Sequence, residues 1–124
     1  MRRTWTTMDD FEAFLDDGGI VEVDDDMPGA YRQAVFAFIE MHANSELMGG
    51  LTERDWIPRT PGLRHKMAVL AKAQGEIGHA HLLYMVGADL AIKTRRDMLE
   101  DLFAGKSKFH NVFHYRAKTW GDQV

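Results

Sequence analysis

The 124-residue sequence predicts an all-α protein built on a hairpin of two long helices, with short helices flanking it. Three observations support this class. Apolar residues recur at spacings of three and four over residues 28–51 and 62–92. Proline occurs at only three positions, 28, 58 and 61, so both stretches are uninterrupted. The length and the 45% apolar and 27% charged residues are ordinary for one globular domain.

The first 27 residues are predicted to form a short helix and an acidic linker. Thr7 is a suitable N-cap, acidic residues fill the first turn, and Gly18-Gly19 end the helix. Residues 20–26 show one apolar–polar alternation, typical of an edge strand or an extended arm, and we interpret them as a linker. The domain boundary is therefore placed after residue 27, with residues 28–124 forming a half-bundle domain.

The first long helix is expected to begin near Pro28 and to persist past Leu51, although Gly49-Gly50 weaken it. The second is expected from Gly62 to about Ile92. This helix carries two apolar stripes, and Glu76 is the one charged residue in the second stripe. The first contains Leu63, Met67, Leu70, Ile77 and Met85, and the second contains Val69, Ala73, Ala80, Leu83, Gly87 and Leu90.

A short helix is predicted after the hairpin, because Thr94 and Asp97 form a capping-box pattern and Gly105 follows. The tail after it is aromatic and irregular. Residues 93–124 hold seven bases against four acids, within a chain of net charge −4. This basic C-terminal segment suits an anionic ligand or partner.

Composition excludes several classes of function. There is no cysteine, so a metal must rest on oxygen and nitrogen ligands. No basic stripe with interleaved aromatics indicates nucleic-acid binding. No uncharged apolar run of 18 residues and no apolar signal core after Arg2 and Arg3 is present, so we expect no membrane association and a cytoplasmic location.

The tetrad Glu76-Ile-Gly-His79 places a carboxylate and an imidazole on one helical face, about one turn apart. In di-iron helical bundles this spacing supplies a carboxylate and an imidazole ligand, and another helix adds a further Glu. Glu46 is the candidate for that Glu, because the ten residues of the connection can span about 33 Å and bring it level with Glu76. The spacing therefore predicts Glu46, Glu76 and His79 as metal ligands.

The same tetrad also has a structural interpretation, in which no metal is bound. A Glu-x-x-His tetrad arises by chance in roughly one in three sequences of this composition. Glu76 would then pair with Lys72, one turn before it, and His79 would be an interior histidine with satisfied hydrogen bonds. The position of Glu76 on an apolar stripe favours the metal, because a metal removes the cost of a buried charge. His42 is more often simply packed than a neighbour of the site, and the remaining histidines show weaker patterns: His65, His81, His110 and His114.

Several stretches closely resemble the N-terminal half of the catalytic subunit in the phenylacetyl-CoA epoxidase family. The similarity covers about residues 28–122, nearly without gaps. It rests on Ala30-Tyr-Arg32, His42-Ala-Asn-Ser-Glu-Leu-Met-Gly49, Asp55-Trp-Ile-Pro-Arg-Thr-Pro61, Leu70-Ala-Lys-Ala-Gln-Gly-Glu-Ile-Gly-His79 and Lys108-Phe-His-Asn-Val-Phe-His-Tyr115.

The resemblance implies a ferritin-like bundle with a di-iron centre that uses O2 to epoxidise the aromatic ring of a coenzyme A thioester in phenylacetate catabolism. It implies Glu46, Glu76 and His79 as iron ligands, Lys72 as an active-site residue, and residues 56–64 as part of the cleft. Two features depart from the family. Gly75 replaces the usual acid before the ligand Glu, and the family's second half contributes a further Glu and a further Glu-x-x-His, so this sequence supplies three of six ligands.

The remaining half-site has two possible sources. A homodimer would bring a second copy of each ligand across a two-fold axis, and the ligand spacing is also similar to that of encapsulated ferritins. A different chain in a hetero-oligomer is the alternative, and an oxygenase also needs an electron-transfer reductase. The other functions left open are a ferroxidase-like homodimer without organic substrate and a non-catalytic component of an oxygenase complex. The donors also accept manganese or zinc.

Overall fold

The computed structural model describes residues 1–123, and within them the fold is helical with no strand. Val124, the last residue of the predicted domain, lies outside the described residues. The all-α class and the central hairpin are confirmed. Residues 1–123 contain five α-helices and two 3₁₀ helices, in chain order: α1 (Met8–Asp16), α2 (Gly29–Trp56), a 3₁₀ turn (Ile57–Arg59), α3 (Leu63–Asp89), α4 (Arg95–Phe103), a 3₁₀ turn (Asn111–His114) and α5 (Trp120–Gln123).

The long helix α2 begins after Pro28, as predicted, and continues through Gly49-Gly50 to Trp56. Two adjacent glycines weaken an isolated helix, but here they lie in the interface with other parts of the chain. Packing of α3 on one side and of the Phe113 ring on the other offsets their low helix propensity. Pro58 then lies in the 3₁₀ turn that ends α2.

The helix α3 lies antiparallel to α2 and buries one of its two apolar stripes more fully than the other. The second stripe is buried there, including Val69, Ala73, Ala80 and Gly87. The first stripe is largely exposed, including Leu63, Met67, Leu70, Ile77 and Met85. The sequence shows both stripes but not which one meets α2, because that depends on how α3 is rotated about its axis.

The core lies at the end of the hairpin opposite the connection between α2 and α3, where α4 packs across the two helices. Its buried members are Phe36, Ala43, Ala80, Tyr84, Leu90 and Met98. Within it the Tyr84 hydroxyl donates a hydrogen bond of 2.5 Å to Asn44 Oδ1, and Asn44 Nδ2 donates to the Lys108 carbonyl oxygen at 2.9 Å. Asn44 thus joins α2 to α3 and to the segment that follows α4. The predicted capping box of Thr94 and Asp97 starts α4.

The N-terminal unit differs from the sequence interpretation in its linker. The capping box of Thr7 starts α1 as expected. The acidic stretch forms no strand, however, and Asp25 is only 1% exposed because its carboxylate accepts hydrogen bonds from the Arg3 backbone and guanidinium. That pairing lowers the pKa of Asp25 to about 2. The boundary after residue 27 remains a prediction, and Phe11 of α1 packs edge-on against Tyr31 of α2.

The C-terminal segment returns along α2 beside the middle of the hairpin. The His110 backbone N–H donates to Ser45 Oγ at 2.9 Å, and the Phe113 ring covers Gly49. None of the helices in residues 1–123 combines the length and hydropathy needed to cross a bilayer.

Candidate metal centre

The three predicted ligands lie together at the middle of the hairpin. Glu46 is on α2, and Glu76 and His79 are on the facing turn of α3. One donor atom from each residue lies within 4.8 Å of the others. The proximity expected from the 30-residue spacing of Glu46 and Glu76 is therefore present, because the short connection makes α2 and α3 antiparallel neighbours.

Hydrogen bonds hold Glu46 from two sides. His42 Nε2, one turn earlier on α2, lies 3.0 Å from Glu46 Oε1, and His79 Nδ1 lies 3.4 Å from Glu46 Oε2. His42 therefore contacts a predicted ligand rather than packing in the core. A histidine in this position orients a carboxylate ligand and makes its protonated form less favourable.

The two carboxylates have opposite pKa shifts because they share one site. The hydrogen bond to Glu46, followed by burial and by the Glu46 charge, raises the pKa of Glu76 to about 7. The same hydrogen bond lowers the pKa of Glu46, and hydrogen bonds from His42 and His79 add to the effect. The pair thus retains a proton near neutral pH, and a divalent cation in that place would neutralise both carboxylates.

The cation predicted for the structural interpretation has a different partner. Lys72 Nζ lies 2.5 Å from Glu53 Oε1, and this contact raises the pKa of Lys72. Glu76 receives only a longer-range attraction from Lys72. The direct Lys72–Glu76 ion pair that the structural interpretation requires is therefore not formed, and the ammonium group contacts Glu53 instead.

Sequence reasoning missed Glu53. It lies seven residues after Glu46, two turns along the same face of α2, and that spacing was the available signal. Glu53 is 6% exposed, and its Oε2 has no hydrogen-bond partner among residues 1–123. A carboxylate oxygen buried in this way costs free energy unless a donor or cation meets it. The site therefore contains a buried carboxylate oxygen that no described residue contacts with a donor.

A cleft of about 500 Å³ adjoins the Glu53–Lys72 ion pair. Glu53 and Lys72 form part of its wall, the Phe113 region of the tail covers it, and Arg116 and Lys118 also line it. Of residues 56–64, Trp56 and Arg59 line a neighbouring cleft of about 330 Å³, with the Arg59 guanidinium 4.1 Å above the Trp56 ring.

The other histidines do not extend the ligand cluster. His65 Nδ1 lies 3.1 Å from the Pro61 carbonyl oxygen. His110 is the N-cap and His114 the last residue of a 3₁₀ turn, so they do not share an α-helical face, and the His114 ring stacks on Phe109 with ring centroids 4.5 Å apart. The predicted ligand set thus gains no further histidine from the described residues.

The donor set fits a divalent metal of the iron, manganese or zinc type, which accepts carboxylate oxygen and imidazole nitrogen. The fit is incomplete in number, because a di-metal bundle site uses four carboxylates and two histidines. The His79 side chain is 65% exposed, so the face of α3 that carries it is open. The described residues thus bring together two carboxylates and one imidazole, three of the six ligands of such a site.

An antiparallel helical hairpin with a glutamate facing a Glu-x-x-His pair defines a ferritin-like helical protein. The sequence model of the family described as "Phenylacetic acid catabolic protein" matches residues 4–124, and the chain belongs to that family. It is also 38% identical over 112 residues to one of the subunits of 1,2-phenylacetyl-CoA epoxidase from Escherichia coli (strain K12). That alignment covers 90% of this chain and 36% of the relative, so the chain spans about a third of the relative's length.

Proposed function

We propose that this chain carries half of the di-iron site of an oxygenase-type protein that oxidises an aryl-CoA thioester with O2. The observation that carries the proposal is the cluster of Glu46, Glu76 and His79 in a member of a phenylacetic acid catabolic family. The proposal applies the activity named for the Escherichia coli epoxidase to this chain, which aligns with about a third of that subunit.

In this proposal each residue has a defined task. Glu46, Glu76 and His79 would hold the iron through their carboxylate and imidazole groups. His42 orients Glu46 through the 3.0 Å contact. Iron, when bound, would supply the reduction of O2, with electrons from a reductase partner.

Lys72 is proposed as the active-site residue between the metal ligands and the cleft. Its ammonium group neutralises Glu53, and the residue lies one turn before Glu76. Lys72 also lines the cleft, so it would separate these two carboxylates from the organic substrate. Arg116 and Lys118 give the cleft a positive charge that suits the phosphates of a coenzyme A thioester.

The missing ligands are proposed to come from a second copy of the chain. A two-fold axis beside the site would bring a second Glu46, Glu76 and His79, giving four carboxylates and two imidazoles. The open face around His79 supports this arrangement, as does Val86, which is exposed two turns further along α3. A hetero-oligomer with a chain that carries another Glu and another Glu-x-x-His is the alternative.

Iron loading and solution mass test the ligands and the assembly together. The chain is loaded with Fe(II) under anaerobic conditions, and its iron content and mass are measured. We expect two irons per dimer and loss of iron in Glu76→Ala, with no loss in Glu12→Ala, which replaces an exposed glutamate of α1. Unchanged iron content in Glu76→Ala would refute the ligand assignment.

Turnover assays distinguish the oxygenase from the ferroxidase and from a non-catalytic component. The oxygenase requires product from an aryl-CoA, O2 and a reductant, and no product from the fully loaded protein contradicts it. A ferroxidase would consume Fe(II) and O2 without thioester, and the exposed edge at His79 would admit Fe(II) from solution. A loaded chain that does neither fits a non-catalytic component of an oxygenase complex.

A further inference from the structure

We propose that Gly50 is a positioning residue for the metal centre, because its lack of a side chain sets the separation of Glu46 from Glu76. The inference rests on the proposed function of those two glutamates as ligands. It concerns how the ligands are held rather than which residues they are.

Gly50 lies one turn after Glu46 and faces the turn of α3 that carries Glu76. A Cβ atom at position 50 would lie 2.8 Å from Ile77 Cγ1 and 3.2 Å from the Ala73 carbonyl oxygen. The first distance is well inside the usual carbon–carbon contact of about 3.5–4.0 Å. The second involves the backbone of α3, which has no rotamer to change. The two helices approach this closely because residue 50 has no side chain.

The crowded atoms surround a proposed ligand. Ala73 and Ile77 flank Glu76 on α3, and the same Cβ would lie 3.5 Å from Glu76 Cβ. Relief of the overlap by separating the helices would therefore move Glu46 away from Glu76. Metal–oxygen bonds are about 2.0–2.2 Å long, and a working site holds them within about 0.2 Å. A shift of a few tenths of an ångström is small for packing and large for the ligands.

Two other glycines provide matched controls. A Cβ at Gly49 would meet only the Phe113 ring, at 3.3 Å, which is the far end of a side chain. A Cβ at Gly78, the residue before His79, would meet nothing within 4 Å. The same glycine-to-alanine change thus tests the α2–α3 contact against the rest of the site's surroundings.

The test measures the dissociation constant for Fe(II) alone, under anaerobic conditions, by competition with a coloured chelator. We expect Gly50→Ala to weaken binding by about tenfold or more. Gly49→Ala and Gly78→Ala should stay within about twofold of the unsubstituted chain. An unsubstituted chain that binds no iron refutes the proposed function. An unsubstituted chain that binds iron no better than Gly50→Ala overturns this inference alone.

A second pair of variants separates positioning from folding. Ile77→Ala removes the atom with the closest overlap, so Gly50→Ala/Ile77→Ala should fold, as measured by helical circular dichroism. The contact with the Ala73 carbonyl oxygen remains, so the double variant should bind Fe(II) more weakly than Ile77→Ala alone. Equal affinity of these two chains, or a double variant that does not fold, overturns the proposal.

Discussion

Replacing Tyr84 with phenylalanine measures the hydrogen bond that joins α2 to α3 in the core. The substitution keeps the buried ring and removes only the hydroxyl that donates to Asn44 Oδ1. Tyr84 is 2% exposed, so water does not replace the lost donor. A buried acceptor left without a partner costs about 1–3 kcal/mol, and we expect this loss in the free energy of unfolding at pH 8.

The pH dependence sharpens the same prediction. Burial, with a smaller effect from Glu40, raises the pKa of Tyr84 to about 12, against 10.0 for an exposed tyrosine. Between these values the unfolded chain loses the phenolic proton and the folded chain keeps it, so stability falls as pH rises. At pH 11 the loss is about 1 kcal/mol. Tyr84→Phe has no such proton, so its deficit should shrink by about 1 kcal/mol between pH 8 and pH 11.

Urea unfolding followed by circular dichroism provides both numbers, from midpoints at equal m-values. Tyr84→Leu is the control for the ring, because it removes the hydroxyl together with packing and should cost more than Tyr84→Phe. A Tyr84→Phe chain as stable as the unsubstituted one at pH 8 would refute the hydrogen bond as a stabilising contact. A deficit that stays constant up to pH 11 would refute the raised pKa.

Three further predictions concern other contacts. Asp25→Asn should remove a part of the acid dependence, because a pKa of about 2 gives a contribution that is present above pH 4 and is lost as pH falls towards 2; acid titration of stability in both chains checks this. Lys72→Met should destabilise the fold by about 1–3 kcal/mol by leaving Glu53 buried without its cation. Glu53→Gln in the same chain should recover part of that loss in urea unfolding, and no recovery would contradict the pairing. Thr94→Ala should cost about 1 kcal/mol through the lost N-cap of α4, whereas a thermal midpoint unchanged from the parent would speak against the capping box.

Much of the candidate site could be predicted from the sequence, because two of its three residues lie close together in the chain. Glu76 and His79 share a face because they are three residues apart in one helix, and any such helix places them so. Glu46 required a further step, namely that a short connection makes two long helices antiparallel neighbours. The partner of Lys72 was not accessible, because Glu76 and Glu53 are both within reach of its long side chain and only the rotation of α2 decides between them.

The sequence by itself determined the helical class, the caps at Thr7 and Thr94, and the shared helical face of Glu76 and His79, because periodicity and capping depend on residues within about four positions. Only the tertiary structure decided which stripe of α3 is buried, that Asp25 pairs with Arg3 inside the protein, and how closely the helices approach at Gly50. These features depend on the rotation and separation of elements far apart in sequence. The close approach of α2 and α3 beside Glu46 and Glu76 is made at a glycine, where the sequence pattern shows no side chain to indicate it.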